Sequence, residues 1–409
     1  MPKCKEKLTS FKKAQRIMSK FKVKNEIEII KLENSENRVL AENIFAPINI
    51  PEYDNSAVDG YGFINKKVKK RKLNLVGESK PGKPFLKKIN ENQVIKVFTG
   101  AYIINENTNI DTVCMEEECK IFKKEVLIDR NYKTGSNIRK KAEDIKKNSK
   151  IFSKGRKIRP LDLAQLSSIG IRKLKVYKKL KVGIFSSGSE LSSNKNNKKK
   201  YEIYDSNKLA LCSLFKRIGC EIIDLGIIKD NKDDTKNKIS KKLSSIDVLV
   251  TSGGVSKSKT DEIGKFFYEN GKILFWRLSI KPGRPFIFGE IRNKPFIGLP
   301  GNPVAAIVTF FMIVINFIKN LSGENNVDFV ERILPCNFNV EKKIGRTEWI
   351  RGNMFKKDNS FYLERFKSTG SGIISSLSQS QGIIELDEEN DYVKKGSLLK
   401  FYKYEDMLN

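Results

Sequence analysis

Between Leu180 and Ile318 short apolar runs alternate with amphipathic stretches, and this alternation restricts the fold more than any other feature of the chain. "KVGIF", "CEIIDLGII", "IDVLVTSGG", "KILFWRL" and "KPFIGLPG" read as strands. "SNKLALCSLFKRIG", which ends in Gly219, "DDTKNKISKKLSS", "DEIGKFFYENG" and the segment opening at "NPVAAIV" read as helices. Strands joined by helices predict an α/β unit with a mostly parallel sheet covered on both faces. Ligands of such sheets sit at the C-terminal ends of the strands.

The flanking segments follow other periods. "TSFKKAQRIMSKF" has apolar positions at helical spacing, and "RPLDLAQLSSIGI" adds a second helical patch with Pro160 in its first turn and Gly170 as its cap. From Ile44 to Arg139 short β-rich runs such as "QVIKVFTGA" and "EVLIDR" are separated by Gly, Pro and Asn, as in a mostly β module inserted between two parts of one helical unit. Beyond residue 325 only short strands recur, which fits a small β-barrel or sandwich. A chain of 409 residues is long for a single core and predicts two to four domains.

Val304 to Ile318 is the most apolar run, but it is shorter than the roughly 20 residues a bilayer requires, so it reads as a helix buried in protein. The N-terminus has lysines but no apolar h-region, and no secretory signal is expected. There is no histidine, which excludes His-containing triads and zinc sites of that kind. The six cysteines lack zinc-site spacing and fit free thiols in a reducing cytosol. The net charge of +31 suggests nucleic acid as a partner, but the lysine runs have no interleaved aromatic residues, so the charge reads as a solvated surface.

Three loops leave successive strands of the α/β unit. "FSSGSEL" delivers Glu190. In "TSGGVS" Gly253 and Gly254 let backbone N–H groups approach an anion. "GLPGNPVAA" fixes a turn with Pro300 and Gly301, then opens a helix with Asn302 as cap and free N–H donors behind it. No Walker or Rossmann glycine pattern is present. Asp230, Asp261 and Glu190 follow strands at the same predicted sheet end, and carboxylates beside an anion cradle imply an intervening cation such as Mg²⁺. Asp261 is equally suited to capping its helix. "WRLSIKPGRPFIF" sets Arg277, Lys281 and Arg284 around one turn, a set suited to a small oxyanion. In the inserted module "PEYDNSAVDGYGF" gathers Asp54, Asn55, Ser56 and Asp59, "VFTGA" sets Thr99 and Gly100 at a strand end, and "NIRKKAEDI" brings Arg139, Glu143 and Asp144. These clusters read as Asx-type turns or as polar groups completing a cleft elsewhere.

Taken in order, "PEYDNSAVDGYGF", "VFTGA", "NIRKKAEDI", "FSSGSEL", "IYDSN", "LGIIKDN", "TSGGVS", "FWRLSIKPGRPF" and "GLPGNPVA" resemble the MoeA family of molybdopterin molybdenumtransferases, which includes the gephyrin E domain; the match covers nearly the whole chain. The resemblance implies a helical domain (1–43 and 140–178), an inserted β-rich domain (44–139), an α/β domain like the MogA adenylyltransferases (179–325) and a C-terminal β-barrel (326–409). It also implies a cytoplasmic homodimer that inserts molybdate into adenylated molybdopterin, with Mg²⁺-assisted release of AMP. An adenylyltransferase and recipient molybdoenzymes are the implied partners; neither a specific nucleic acid nor a membrane is among them.

By the same resemblance Gly100, Ser187, Gly253, Gly254, Ser256, Pro300, Gly301 and Asn302 bind the pterin phosphate and adenylate. Asp230 and Asp261 hold the metal, and Asp59, Thr99, Asp144 and Glu190 complete the catalytic set. Lys281, Arg284, Arg351 and Ser371 receive molybdate. The chain departs from the family pattern in "KSKTD" before Asp261, in Arg277 and Arg284 where lysines are usual, in Gly372 where histidine is common, and in "YII" after "TGA". The rival readings are a MogA-type adenylyltransferase and a gephyrin-like binding scaffold without catalysis.

Overall fold

The computed structural model describes residues 8–23, 25–65, 71–192, 198–228, 232–255, 262–325, 327–368 and 370–408. Its centre is a six-stranded sheet built from β1 (Lys181–Ser187), β2 (Glu221–Ile228), β3 (Val248–Ser252), β4 (Lys272–Trp276), β5 (Ile287–Ile291) and β6 (Lys294–Leu299), in the order β2-β1-β3-β6-β5-β4. The first four strands of that order are parallel, as expected. The last two, β5 and β4, add antiparallel, so the sheet is mixed. In parallel register Ser187 lies beside Ile228, Ser186 beside Ser252, and Ser252 beside Leu299, which puts the ends of four strands at one edge.

The period of two along these strands sorts their side chains onto two faces. Val182, Ile184, Val248 and Val250 pack in one core, whereas Phe185 and Leu249 pack in another on the opposite face. The longer helices among the described residues are α1 (Phe11–Met18), α2 (Pro160–Ser168), α3 (Ser206–Arg217), α4 (Lys232–Lys242), α5 (Glu262–Asn270) and α6 (Pro303–Leu321), the last with a π-helical stretch at Phe310–Val314. Asp205 caps α3 by accepting the Lys208 N–H at 3.0 Å, and Gly219 follows its end at φ +96°. By length and composition α6 is apolar enough to cross a membrane, but it is buried between the α/β sheet and the C-terminal strands.

The core containing α6 also holds Ala14 and Met18 of α1, and Trp349, Ile383, Tyr402 and Met407 from the C-terminal region. Phe11 meets the Trp349 ring edge to face at 5.0 Å. The apolar stripe of α1, the first helix of the expected N-terminal unit, thus packs on the α/β core. Apart from α1, the described part of residues 1–43 and 140–178 contains the single α-helix α2, a short 3-10 turn and more strand than helix. Ile27–Lys31 pairs with Lys173–Tyr177, and Ile44–Phe45 with Lys150–Phe152.

One ion cluster pins α2. The Asp162 carboxylate, 3% exposed, accepts Arg156 at 2.8 and 3.0 Å, the Arg159 guanidinium at 3.0 Å and the Arg159 backbone N–H at 3.0 Å. Burial pushes this carboxyl up, but the two arginines outweigh it and hold it well below the usual carboxylate range. Since the folded-state value is depressed, the stability it contributes is present above the unfolded value of about 3.9 and is lost as pH falls through the folded one. Asp162→Asn is therefore expected to lower stability at pH 7 by about 2 kcal/mol, with the deficit against the parent shrinking below about pH 4. Urea unfolding at both pH values checks this; a deficit independent of pH would assign the effect to packing.

The inserted module is a six-stranded sheet whose two end strands are Thr112–Met115 and Cys119–Phe122. The C-terminal region contributes five strands to another six-stranded sheet, built around β7 (Thr347–Lys357). Ile280–Lys281, which belongs to the basic loop after β4, pairs with the start of β7. A bridge between Cys336 and Leu363 brings the Arg332–Pro335 and Ser360–Arg365 strands together.

Candidate active site

The basic loop is built by two local constraints. Arg277 and Leu278 N–H groups donate to the carbonyls of Phe286 and Arg284 at 3.0 and 2.9 Å, which closes the turn. Pairing of Ile280–Lys281 with Thr347–Glu348 then carries Lys281 across to the C-terminal sheet. The result is a cavity of about 470 Å³ whose lining includes Lys281, Arg284, Pro300, Asn302, Arg346, Glu348, Arg351 and Ser371. Volumes of this order are usual for small-ligand sites. Four cations face one carboxylate here, so the cavity favours an anion.

The lone carboxylate is fixed by two of those cations. Glu348 is 5% exposed; one of its oxygens accepts Lys281 Nζ at 3.0 Å and the other accepts Arg346 Nε at 2.7 Å. Burial pushes the Glu348 carboxyl up, and the bonds from Lys281 and Arg346 more than reverse this, so it is held below the usual range. Arg346 and Glu348 carry no assignment from sequence reading. Their signal is the two-residue spacing in "RTEW", which places both on one side of an extended chain; what turns that side toward the basic loop is the Lys281–Glu348 register.

Arg351, expected as an oxyanion ligand, lines the cavity and also supports the loop beside it. It is 2% exposed, with Nε donating to Ser376 Oγ at 3.0 Å and Nη2 donating to the carbonyls of Ser368 and Gly370, each at 3.2 Å. Most of its hydrogen bonding is therefore spent on holding the loop that presents Ser371. Burial pulls its basicity down. Asn302 departs from expectation. It occupies the residue before α6, but its side chain donates to Ser371 Oγ at 3.1 Å and caps no N–H, while the Val304 N–H donates to the Ser371 carbonyl at 3.1 Å. The start of α6 thus binds the Ser371 loop, and its N–H groups are not all free for a ligand. Arg277 is exposed and does not line the cavity.

At the adjoining sheet edge Gly253 and Gly254 have φ +88° and +69°. The Gly253 N–H donates to the Leu299 carbonyl at 3.0 Å, so it is unavailable as the expected anion donor. A Cβ on Gly253 would stand 2.3 Å from the Ser187 carbonyl, and one on Gly301 only 3.7 Å from Gly253 Cα. Gly253 is required here for close backbone packing. Asn207, at the start of α3, ties this edge together by donating to Ser252 Oγ at 2.9 Å and to the Gly301 carbonyl at 2.7 Å. Its motif "YDSN" is visible in the sequence, but the sequence gives no sign of this bridging role. Ser186 Oγ and Asp205 Oδ2 are buried at the same edge without a hydrogen-bond partner among the described residues.

Glu190 is exposed beyond β1. Asp230, Ser256 and Asp261 lie outside the described residues, between β2 and α4 or between β3 and α5. Among the described residues no group of three or more Cys, Asp or Glu side chains is poised to hold a metal ion. The clusters of the inserted module hold together locally. Asp59 Oδ1 accepts the Thr99 N–H at 2.6 Å and its hydroxyl at 2.8 Å, bonds that hold the carboxyl below its usual value. The Gly100 N–H donates to the Ser56 carbonyl at 2.8 Å, and the exposed Asp144 donates its N–H to the Ile50 carbonyl at 3.0 Å. None of Asp59, Thr99, Gly100 and Asp144 lines the cavity.

Comparison with known proteins agrees along nearly the whole length. Residues 9–170 match the MoeA N-terminal region (domain I and II), residues 183–320 a probable molybdopterin binding domain, and residues 334–404 the MoeA C-terminal region (domain IV). A molybdopterin molybdenumtransferase of Haemophilus influenzae is 32% identical over 385 residues, covering 93% of this chain and 95% of that protein. Gephyrin of Dictyostelium discoideum is 28% identical over 92% of this chain and 59% of its own length. The crystal structure of a molybdopterin biosynthesis MoeA protein from Pyrococcus horikoshii superposes with a TM-score of 0.83 at 26% identity, covering 97% of this chain and 100% of that one. The chain therefore belongs to the MoeA family, the molybdopterin molybdenumtransferases of molybdenum cofactor biosynthesis.

Proposed function

We propose that the cavity between the basic loop and β7 receives molybdate, and that the neighbouring sheet edge receives adenylated molybdopterin. The observation that carries this reading is convergence. Lys281 and Arg284, Pro300 and Asn302, and Arg351 and Ser371 come from three distant segments and line one space. Lys281, Arg284 and Arg346 supply charge and directed N–H donors to a tetrahedral oxyanion. Glu348 holds two of these cations in place, and Arg351 positions the Ser371 loop. The unpartnered Ser186 and Asp205 oxygens are suited to polar groups of the larger substrate. No side chain in the cavity need act as a nucleophile, because an oxyanion or water oxygen can attack phosphorus.

Mg²⁺ held by Asp230 and Asp261, with Glu190 beside them, would neutralise charge on the phosphates. The described flanking residues fit that placement: β2 ends two residues before Asp230, α5 begins one residue after Asp261, and both connections leave the strand ends that carry Ser187 and Gly253. Since Asp59, Thr99 and Asp144 do not line this cavity, we assign them to the site of a second copy in a cytoplasmic homodimer. The division at residues 44, 140, 179 and 326, and closure of the last unit into a barrel, belong to the same reading; the Cys336–Leu363 bridge supports the closure.

Equilibrium dialysis against molybdate, with metal analysis of the protein, tests the cavity. Arg284→Gln is expected to weaken binding about tenfold, the equivalent of about 1.4 kcal/mol, without changing the unfolding midpoint. Unchanged affinity would remove the oxyanion from this cavity. Incubation with ATP and molybdopterin in the absence of molybdate separates the adenylyltransferase alternative, which alone would yield the adenylated pterin.

A further inference from the structure

The fold brings together two of the cysteines that the sequence leaves separate. Cys114 lies in one end strand of the inserted sheet and Cys119 begins the other, so the thiols meet where the two edges of the sheet approach each other. Their sulfurs are 3.1 Å apart. Cys114 is fully buried and its thiol lies 3.4 Å from the Tyr61 carbonyl, whereas Cys119 is half-buried and lies 3.4 Å from the Met115 carbonyl. A disulfide bond is about 2.05 Å long, so the sulfurs need to close by about 1 Å.

The turn between them, Glu116–Glu118, supports the Asp59 cluster. The Glu116 N–H donates to the Asp59 carbonyl at 3.1 Å, and the Glu116 carboxylate accepts Lys96 Nζ at 2.9 Å. We propose that Cys114 and Cys119 form a reversible dithiol–disulfide couple, oxidised by hydrogen peroxide, that clamps the Glu116–Glu118 turn beneath Asp59.

The environments of the two thiols give the order of events. Cys119 is the half-buried sulfur and so the one a peroxide reaches first. Its contact with Cys114 lowers the Cys119 thiol from its ordinary value against the opposing effects of burial and the neighbouring carboxylates, while the same contact and burial push the fully buried Cys114 up. The Cys119 thiolate attacks one peroxide oxygen, the O–O bond breaks, and the departing hydroxide leaves as water after taking a proton, with Cys119 as the sulfenic acid. The Cys114 sulfur then attacks the Cys119 sulfur. The S–O bond breaks and the departing hydroxide takes the Cys114 proton as water, so two thiols and one peroxide give one disulfide and two waters.

The test uses the full chain, treated with graded hydrogen peroxide and then alkylated with iodoacetamide. No lysine or arginine separates the two cysteines, so one tryptic peptide contains both. This peptide is expected to escape alkylation with the loss of two hydrogens and to regain both thiols with dithiothreitol. Cys114→Ser should stop at a Cys119 sulfenic acid that dimedone traps, and Cys119→Ser should leave Cys114 unoxidised. Amide exchange at residues 115–118 should slow at least severalfold in the oxidised parent protein. Full alkylation of both thiols after peroxide, or pairing of either with another cysteine, overturns the couple. Formation of the disulfide with unchanged exchange at the turn overturns the clamp.

Discussion

Arg351→Met is expected to lower the unfolding free energy by about 2–4 kcal/mol and to abolish molybdate binding with it. Hydrogen bonds to charged groups are worth about 1.5–3 kcal/mol each when a single partner is removed. Here one guanidinium serves the Ser368 and Gly370 carbonyls and Ser376 Oγ. Methionine fills part of the volume but leaves these acceptors without their donor. The Ser371 loop, held otherwise by Asn302 and the Val304 N–H, then loses its attachment to β7. Arg351→Lys is not a conservative control, since an ammonium group cannot reproduce the planar spacing of the three contacts. Urea unfolding and dialysis against molybdate should show both losses together. A variant of native stability that no longer binds molybdate would mean that Arg351 contacts the anion directly, as its place in the family motif suggests.

The contrast between Arg351 and Lys281 shows where the sequence is informative. The parallel part of the central sheet is legible because its strands are mostly apolar runs bounded by turn residues, and α3 between the first two carries its own cap at Asp205. The strand β5 is harder to see, because "PGRPFIF" opens with two prolines and a glycine that read as loop. Helical spacing in α1 identifies an apolar stripe but not what covers it. That depends on where the chain passes in three dimensions, and the stripe lands on α6 and Trp349. The six cavity residues named from family motifs do converge. The Glu348–Arg346 pair stays hidden because its meaning arises from the register of two strands whose partners lie 67 residues apart, and no local pattern encodes such a pairing. Asn207 is a similar case: its motif is visible, but its two partners lie on β3 and on the turn after β6.

Gly253→Ala is expected to destabilise the chain by about 3 kcal/mol or more, beyond the loss expected of an anion contact alone. The left-handed backbone conformation costs an L-residue about 1–2 kcal/mol, and Gly253 holds φ +88°. The added methyl would also meet the Ser187 carbonyl at 2.3 Å, a backbone atom that cannot turn aside. Relief requires β1 to move away from the turn after β3, although these strands are hydrogen-bonded neighbours and Ser186 pairs with Ser252. Gly254→Ala separates the two costs. Its φ of +69° carries the same conformational penalty, and its methyl would meet Ile263 Cβ and Cγ1 at 2.8 Å, an overlap that α5 must shift to relieve but a milder one than the 2.3 Å backbone contact at Gly253. Denaturant midpoints should therefore fall in the order parent, Gly254→Ala, Gly253→Ala. If instead Gly253→Ala unfolds with the parent but fails to bind adenylated molybdopterin, the glycine serves the ligand and the strand-packing account is wrong. The same comparison decides how the sheet edge is assembled, because the contact that excludes a side chain at Gly253 sets the separation between the Ser187 and Gly301 loops, which the proposed function assigns to the adenylated substrate.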